Sequence, residues 1–171
     1  MIFLIALTTY VLTREARGSL WDTGEFIASA KGLQLPHPPG APLFVLLGRF
    51  FIILFGDESV AAGSAVNFMS ALASAATILF LFWSITHFGR KLYAVKEDQL
   101  TQSQVTTIMG AGIVGALAYT FSDSFWFSAV EGEVYALSSF FTAVVFWAMI
   151  KWEQAVTEEQ EQGIKGHFTK A

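Results

Sequence analysis

The sequence contains no cysteine and few charged residues for its length. Without cysteine, a disulfide framework, a thiolate nucleophile and a cysteine-based zinc site are excluded. Asp, Glu, Lys and Arg make up only 14% of the 171 residues, whereas 54% are hydrophobic; a soluble domain has about a quarter charged residues. Ten basic against fourteen acidic residues give a net charge of −4, so no basic surplus is available to neutralise nucleic-acid phosphates. The composition excludes a nucleic-acid partner and predicts a membrane protein.

Long stretches without any formal charge predict membrane-spanning helices. Residues 59–89 form one such stretch, long enough to cross a hydrocarbon core of about 30 Å as a tilted helix, and predict a span at about 62–88. Two more uncharged stretches predict spans at about 105–122 and 134–150. Residues 1–13 are apolar but reach only about 20 Å as a helix. We interpret them as the truncated end of another span.

Residues 41–56 are apolar and aromatic with Arg49 in their middle, and two placements stay open. A span would hold Arg49 near the bilayer centre, at a cost of about 2.5–3.5 kcal/mol. An interfacial helix avoids that cost, although the distribution of Lys and Arg favours the span; we favour the interfacial helix. The predicted fold class is therefore an all-α polytopic membrane bundle with about four transmembrane helices and one interfacial juxtamembrane helix. Residues 1–153 would form a single membrane domain, and 154–171 a polar cytosolic tail or the start of the next loop.

Two polar clusters lie in the first predicted loop. If a helix begins near Asp22, then Asp22 and Glu25 share one of its faces. They are either a functional carboxylate pair or an N-cap with its capping-box partner. The second cluster is His37 within the run PHPPGAP, residues 36–42. The prolines either hold His37 in a defined direction or form a stiff turn with an incidental histidine.

A third cluster occupies residues 123–133, which we interpret as an outer loop. It contains Asp123, Glu131 and Glu133 but no basic residue, and Tyr135 follows it closely. These acids are either ordinary outer-loop charges or a base and metal ligands held beside the bilayer. A divalent cation could draw oxygen and nitrogen ligands from five side chains: Asp22, Glu25, His37, Glu131 and Glu133.

The sequence resembles the N-terminal region of a family of multi-pass membrane proteins common in Bacteroidota. The runs that carry this resemblance are WDTGEFIASAKGLQLPHPPGAPLFVLLGRFF, VNFMSALASAATILFLF and TFSDSFWFSAVEGEVYALSSFF. The family is related to the eukaryotic transmembrane protein O-mannosyltransferase and is similar to GT-C glycosyltransferases. In those enzymes an acidic motif after the first span precedes a His-Pro-Pro element, juxtamembrane helices and a second span rich in small residues. This chain repeats that order and resembles an N-terminal fragment, because such enzymes carry many more spans.

The resemblance implies transfer of a sugar, with mannose as the candidate, from a polyprenyl- or dolichyl-phosphate donor to a hydroxyl of a protein or glycan acceptor, with inversion. The enzyme would be a multi-pass protein among the lipids of the bacterial inner membrane, with its active site facing the periplasm. Asp22 is the expected general base and Glu25 its backup. Asp22 and Glu133 are the expected ligands of any divalent metal. Substrate binding is expected of six residues: His37, Arg49, Asp123, Glu131, Glu133 and Tyr135.

One alternative of a different class stays open, a non-catalytic membrane scaffold or transporter subunit. Ionisable residues inside the spans would indicate a transport path. The predicted spans contain no Asp, Glu or Lys, and the acids lie in the loops. This distribution favours chemistry at the membrane surface over conduction.

Overall fold

The computed structural model describes residues 1–16, 21–93 and 100–161, and within these ranges it contains helices and no strand. Seven helices are found there: α1 Ile2–Thr13, α2 Thr23–Gly32, α3 Pro42–Phe55, α4 Ser59–Leu92, α5 Gln102–Thr120, α6 Asp123–Val130 and α7 Val134–Glu161. The predicted all-α class is confirmed.

Helix α4 is the centre of the bundle, and each of the other six helices packs against it. Small residues allow this close packing. A Cβ at Gly112 of α5 would lie 2.6 Å from Cγ2 of Thr86, and one at Gly115 would lie 2.7 Å from Cδ1 of Ile85. At Gly112 the Phe82 ring is also within 3.0 Å, so α5 depends on glycine there, whereas at Gly115 only the terminal methyl of Ile85 would have to shift.

The helix order brings the predicted polar clusters to one end of the bundle. There the Tyr10 hydroxyl of α1 donates to the Thr120 carbonyl of α5 at 3.0 Å, and the Glu15 amide donates to the Val130 carbonyl of α6 at 3.1 Å. We call this end, which holds residues 14–16, 21–42 and 121–133, the acidic end. At the opposite end an ion pair joins Lys91 of α4 to Glu153 of α7. We call it the basic end, after Arg90, Lys91 and Lys151.

Length and composition support two membrane spans, α4 and α7, and a third if α5 and α6, bent by 66° at residues 121–122, act as one. Helix α1 has 12 residues and reaches about 18 Å, so the predicted count of about four includes a helix too short to cross alone. The interpretation of 123–133 as a loop is corrected, because α6 occupies most of it. Helix α7 continues past the predicted domain boundary at 153, and that boundary stays a prediction. Part of the predicted tail, residues 162–171, lies outside the described residues.

Helix α3 lies across the beginning of α4. A Cβ at Gly48 would lie 2.9 Å from Cβ of Ala30 in α2 and 3.6 Å from Val66 in α4, and Phe51 and Phe55 both contact the Phe68 ring. These α4 partners fall within its first ten residues. Because α3 has only 14 residues, both placements bring it against this first part of α4, and the interfacial placement stays a prediction.

Arg49 is paired at this end of the molecule. Its guanidinium Nη1 donates to the Lys31 carbonyl and to Oδ1 of Asp57, each at 3.0 Å. The outward face of α3 is apolar and exposed: Leu43, Leu46, Phe50, Ile53 and Leu54. A helix with a paired arginine and an uncovered apolar face suits the membrane interface.

Single cysteines test whether α3 crosses the membrane, since the native chain has none. We expect cysteines at Gly24 and Ser124, both exposed, to react with an impermeant thiol reagent from the same side. A cysteine at Leu92, also exposed, should react from the opposite side. If α3 spans the membrane, Gly24 will instead label together with Leu92 and opposite to Ser124.

Candidate active site

The start of α2 presents two exposed carboxylates. The Phe26 amide donates to the Asp22 carbonyl at 2.9 Å, which begins the helix. The Asp22 side chain makes no capping hydrogen bond, and the Glu25 carboxylate is bonded to His37 instead of turning back to the helix start. The capping-box alternative is therefore wrong in this structure, and both carboxylates face outward from the helix.

His37 lies against both of these carboxylates. Its backbone amide donates to Oε1 of Glu25 at 2.6 Å, and its ring Nδ1 lies 2.9 Å from Oε2 of the same residue. The other ring nitrogen, Nε2, lies 3.9 Å from Oδ2 of Asp22. The hydrogen bond to Glu25 raises the pKa of His37, and the same bond lowers the pKa of Glu25. Pro36 and Pro38 restrict the backbone on either side of His37. The His37 ring lies between the Glu25 and Asp22 carboxylates, which agrees with the prediction that the prolines hold it in a defined direction.

The second half of the site is a tight turn before α7. The Glu133 amide donates to the Glu131 carbonyl at 2.9 Å, a three-residue γ-turn pattern. Gly132 at its centre presses on α4, where a Cβ would lie 2.9 Å from Val66 and 3.0 Å from Oδ1 of Asn67. Only glycine fits so close to α4. The flanking glutamates are 5% and 6% exposed, so two carboxylates are buried together.

Thr23 joins the two halves of the site. Its hydroxyl, fully buried, lies 3.1 Å from Oε1 of Glu133 and 3.4 Å from Oε2 of Glu131. One hydroxyl proton can serve only one of these oxygens, so a second hydrogen bond needs a proton on one carboxyl. Burial raises the pKa of Glu133, and the nearby charges of Asp22 and Glu131 raise it further. The Thr23 hydrogen bond acts in the opposite direction and lowers the pKa of Glu133.

Three predicted site residues lie apart from this cluster. Arg49 is paired with Asp57, Asp123 is exposed at the far end of α6 from Glu131, and Tyr135 is 63% exposed in the first turn of α7. Within the described residues, none of the three forms a hydrogen bond to the cluster. Their binding roles stay predictions.

Sequence reasoning missed Thr23. A threonine in the first turn of a helix is unremarkable in sequence, and its partners follow 108 and 110 positions later. The one available signal was its position between Asp22 and Glu25, where the helical repeat turns it toward the bundle while both carboxylates face outward.

The exposed part of the cluster has a metal-ligand arrangement. Single ligand atoms of Asp22, Glu25 and His37 all lie within 4.8 Å of one another. One imidazole nitrogen and two carboxylate oxygens suit divalent ions such as Mn²⁺ or Zn²⁺. Beside Asp22, the geometry thus offers Glu25 and His37 as ligands, whereas the predicted partner Glu133 is buried against Thr23.

Fold and site together define an integral membrane protein, a helical bundle that gathers four carboxylates and an imidazole at one end. A family model, described as the Protein O-mannosyl-transferase TMEM260 N-terminal domain, matches residues 22–168, and the chain belongs to that family. The match begins at Asp22 and includes the whole cluster. The predicted family is confirmed, while its being common in Bacteroidota stays a prediction.

Two curated relatives match nearly all of this chain. Protein O-mannosyl-transferase TMEM260 of Mus musculus is 30% identical over 159 residues, which cover 93% of this chain and 20% of the relative. Protein O-mannosyl-transferase tmem260 of Dictyostelium discoideum is 22% identical over 162 residues, covering 95% of this chain and 18% of the relative. The chain thus spans about a fifth of the length of these relatives. No solved structure matches it.

The raised pKa of Glu133 predicts a pH-dependent stability. The folded protein favours the protonated carboxyl, so the contribution is complete below the ordinary glutamate pKa and is lost as the pH rises through the raised pKa. Glu133→Gln cannot ionise, so its thermal unfolding midpoint in detergent should fall less than that of the wild type between pH 5 and pH 8.

Glu58→Gln is the matched control, because Glu58 is an exposed carboxylate at the same end. It should keep the wild-type pH dependence. An equally steep fall in Glu133→Gln and the wild type would show that Glu133 does not contribute.

Proposed function

We propose that this region forms part of the active site of a membrane glycosyltransferase of the inverting, GT-C type. The enzyme would move mannose from a polyprenyl- or dolichyl-phosphate donor to a hydroxyl of a protein acceptor. The observation that carries the proposal is the cluster that Thr23 holds together at the acidic end, within the stretch that matches proteins named O-mannosyl-transferases. We place the protein in the bacterial inner membrane with this end facing the periplasm.

The first chemical requirement is a base for the acceptor hydroxyl. As the acceptor oxygen attacks the anomeric carbon, its proton must leave, and the bond from that carbon to the donor phosphate breaks with the electron pair going to the phosphate. Asp22 suits the role of base because its carboxylate is exposed and does not cap α2. It would take the proton directly from the acceptor hydroxyl.

Glu25 and His37 would act as positioning residues for Asp22. Glu25 contacts both the backbone amide and the ring Nδ1 of His37, and the other ring nitrogen, Nε2, lies 3.9 Å from the Asp22 carboxylate. This arrangement orients the base without occupying it. Ordering a catalytic carboxylate before the substrate arrives lowers the entropic part of the barrier.

The buried turn would serve the acceptor. The carboxyl oxygens of Glu131 and Glu133 would accept hydrogen bonds from an N–H or O–H of the acceptor and so position it beside Thr23. The leaving phosphate needs positive charge. Arg49 is a candidate, since Asp57 and Lys31 engage one nitrogen of a guanidinium that carries five N–H donors.

A second hypothesis is that the same side chains bind a divalent metal ion. It is supported by Asp22, Glu25 and His37, whose ligand atoms all lie within 4.8 Å of one another. When bound there, such an ion would supply positive charge to the departing phosphate. The two readings assign Asp22 different roles. A carboxylate that ligates the ion is not available as the base.

The base assignment predicts a large loss of activity in Asp22→Asn. Asparagine keeps the size of the side chain and is as good an N-cap, but it cannot take a proton. Mannose transfer from the lipid-phosphate donor, measured in the intact protein, should fall by about 10²–10⁴-fold with donor binding retained.

Glu58→Gln is again the control, because Glu58 precedes α4 as Asp22 precedes α2 and likewise makes no capping bond. It should transfer at the wild-type rate. Transfer by Asp22→Asn close to the wild-type rate would remove Asp22 from catalysis. Mn²⁺ titration of the same proteins separates the two hypotheses. If Asp22 is the base, Asp22→Asn should bind Mn²⁺ as tightly as the wild type. If Asp22 is a metal ligand, Asp22→Asn should bind Mn²⁺ more weakly.

A further inference from the structure

A small cavity lies beside Arg14 at the acidic end, where the end of α1 meets α3 and the first turns of α4. Its volume is about 280 Å³, and six residues line it: Arg14, Phe55, Ala61, Ser64, Ala65 and Phe68. Apart from Arg14 and Ser64, the lining is apolar. One cation over an apolar wall suits a ligand that carries an anionic group on a hydrocarbon chain.

The Arg14 side chain is partly buried and lies over an aromatic ring. Its guanidinium carbon is 5.5 Å from the centre of the Phe68 ring, and Phe51 and Phe55 in turn contact Phe68. Within residues 1–16, 21–93 and 100–161 the guanidinium forms no ion pair and no hydrogen bond. Taking a charge partly out of water is costly unless an opposite charge or hydrogen bonds compensate. Arg14 is therefore arranged to receive an anion.

Arg49, another arginine of this end, is already engaged. It pairs with Asp57 and donates to the Lys31 carbonyl. A phosphate that approached Arg49 would compete with the Asp57 carboxylate. At Arg14 it would meet a guanidinium with five N–H donors and, among the described residues, no competing carboxylate bound to it.

Ser64 gives the cavity a second hydrogen-bond donor. Three other hydroxyls of α4, on Thr77, Ser84 and Thr86, donate to a backbone carbonyl of their own helix at 2.8 to 3.0 Å. In the part of the chain that the structure describes, the Ser64 hydroxyl makes no such bond, although Ser64 lines the cavity. Its proton is available to an oxygen of a ligand.

The backbone next to Arg14 is fixed to the buried turn of the candidate active site. The Glu15 amide donates to the Val130 carbonyl at 3.1 Å, and the Asn67 side chain donates to the Glu15 carbonyl at 2.8 Å. Val130 directly precedes Glu131, and Asn67 directly precedes the Phe68 of the cavity wall. The segment that carries Arg14 is thus tied both to the cavity and to the turn.

We propose that Arg14 binds the phosphate of the lipid donor, with the first part of the lipid chain in the cavity over Phe68. This inference rests on the proposed function and names the cation that the leaving phosphate requires. The cavity is just smaller than the roughly 300–1,000 Å³ of pockets that enclose drug-sized ligands. It would therefore hold the beginning of the chain, while the rest lies among the membrane lipids.

Arg14 would act when the bond between the anomeric carbon and the phosphate oxygen breaks. The electron pair of that bond goes to the phosphate, and polyprenyl phosphate is the lipid that is left. N–H donors already directed at the phosphate would stabilise the added negative charge. The same contacts should hold the sugar-free lipid, so its binding reports on Arg14 without any transfer.

The test is native mass spectrometry of the purified intact protein with undecaprenyl phosphate or, as the lipid without a phosphate, undecaprenol. Arg14→Gln should weaken the apparent affinity for undecaprenyl phosphate by about tenfold or more, because charge-assisted hydrogen bonds are lost. Its affinity for undecaprenol should equal that of the wild type, which separates a lost phosphate contact from a lost fold. Lys31→Gln removes a partly exposed positive charge of the same end and should bind both lipids as the wild type does.

A second variant tests the cavity itself. Ser64→Leu keeps every charge and occupies space beside Arg14, so it should weaken the binding of both lipids. Wild-type affinity for undecaprenyl phosphate in Arg14→Gln or in Ser64→Leu would overturn the assignment, and the proposed function would stand if the wild type still transfers mannose.

Two further outcomes also count against the assignment. If Arg14→Gln loses dioleoyl phosphatidylglycerol as strongly as undecaprenyl phosphate, the cavity is a site for any lipid phosphate and not for the donor. If the wild type binds undecaprenyl phosphate no better than undecaprenol, the proposed lipid-phosphate donor fails and this inference fails with it.

Discussion

The buried contact between Thr23 and the glutamates of the 131–133 turn is the interaction on which the acidic end depends. Two carboxylates with almost no exposure are costly unless they have hydrogen-bond donors. The Thr23 hydroxyl supplies one from α2, more than a hundred residues away in sequence. The contact therefore fixes the start of α2 against the turn. Asp22 and Glu25 flank Thr23, so their positions follow from it.

Close packing on α4 complements this polar contact. A Cβ at Gly48 or at Gly132 would meet the side chain of Val66, at 3.6 and 2.9 Å. Helix α3 and the acidic turn thus both reach one point on the central helix. Phe44 of α3 packs edge-on against Phe26 of α2, with ring centres 5.3 Å apart. The same apolar layer that places α3 also supports the floor of the site.

The sequence predicted the helices well where charge was absent for long stretches. The predicted spans 62–88, 105–122 and 134–150 correspond to α4, α5 and α7, because a bilayer demands long uncharged segments and few other structures do. Helix α6 was missed, since eight residues with an acid and several aromatics are equally typical of an interfacial loop. Two helices, α4 and α7, continue a turn or more past the predicted ends of their spans, because polar residues can continue a helix beyond the membrane.

The sequence was enough to predict which residues belong to the site, but not which of them contact one another. Asp22, Glu25, His37, Glu131 and Glu133 stood out because charge is rare in this chain, and the structure brings all five to one end. Which of them touch depends on contacts between distant segments, and no local pattern encodes those. The pairing of His37 with Glu25, and the part played by Thr23, therefore emerged only from the fold.

The transfer rate of Thr23→Val, compared with that of Thr23→Ser in the intact protein, tests this account most directly. Valine keeps the shape of the side chain but leaves the buried glutamates without their donor, at a cost of roughly 1–3 kcal/mol. Serine keeps the hydroxyl. We expect Thr23→Val to lose most of the proposed mannose transfer while still folding, and Thr23→Ser to stay close to the wild type. Equal transfer by both variants would contradict it.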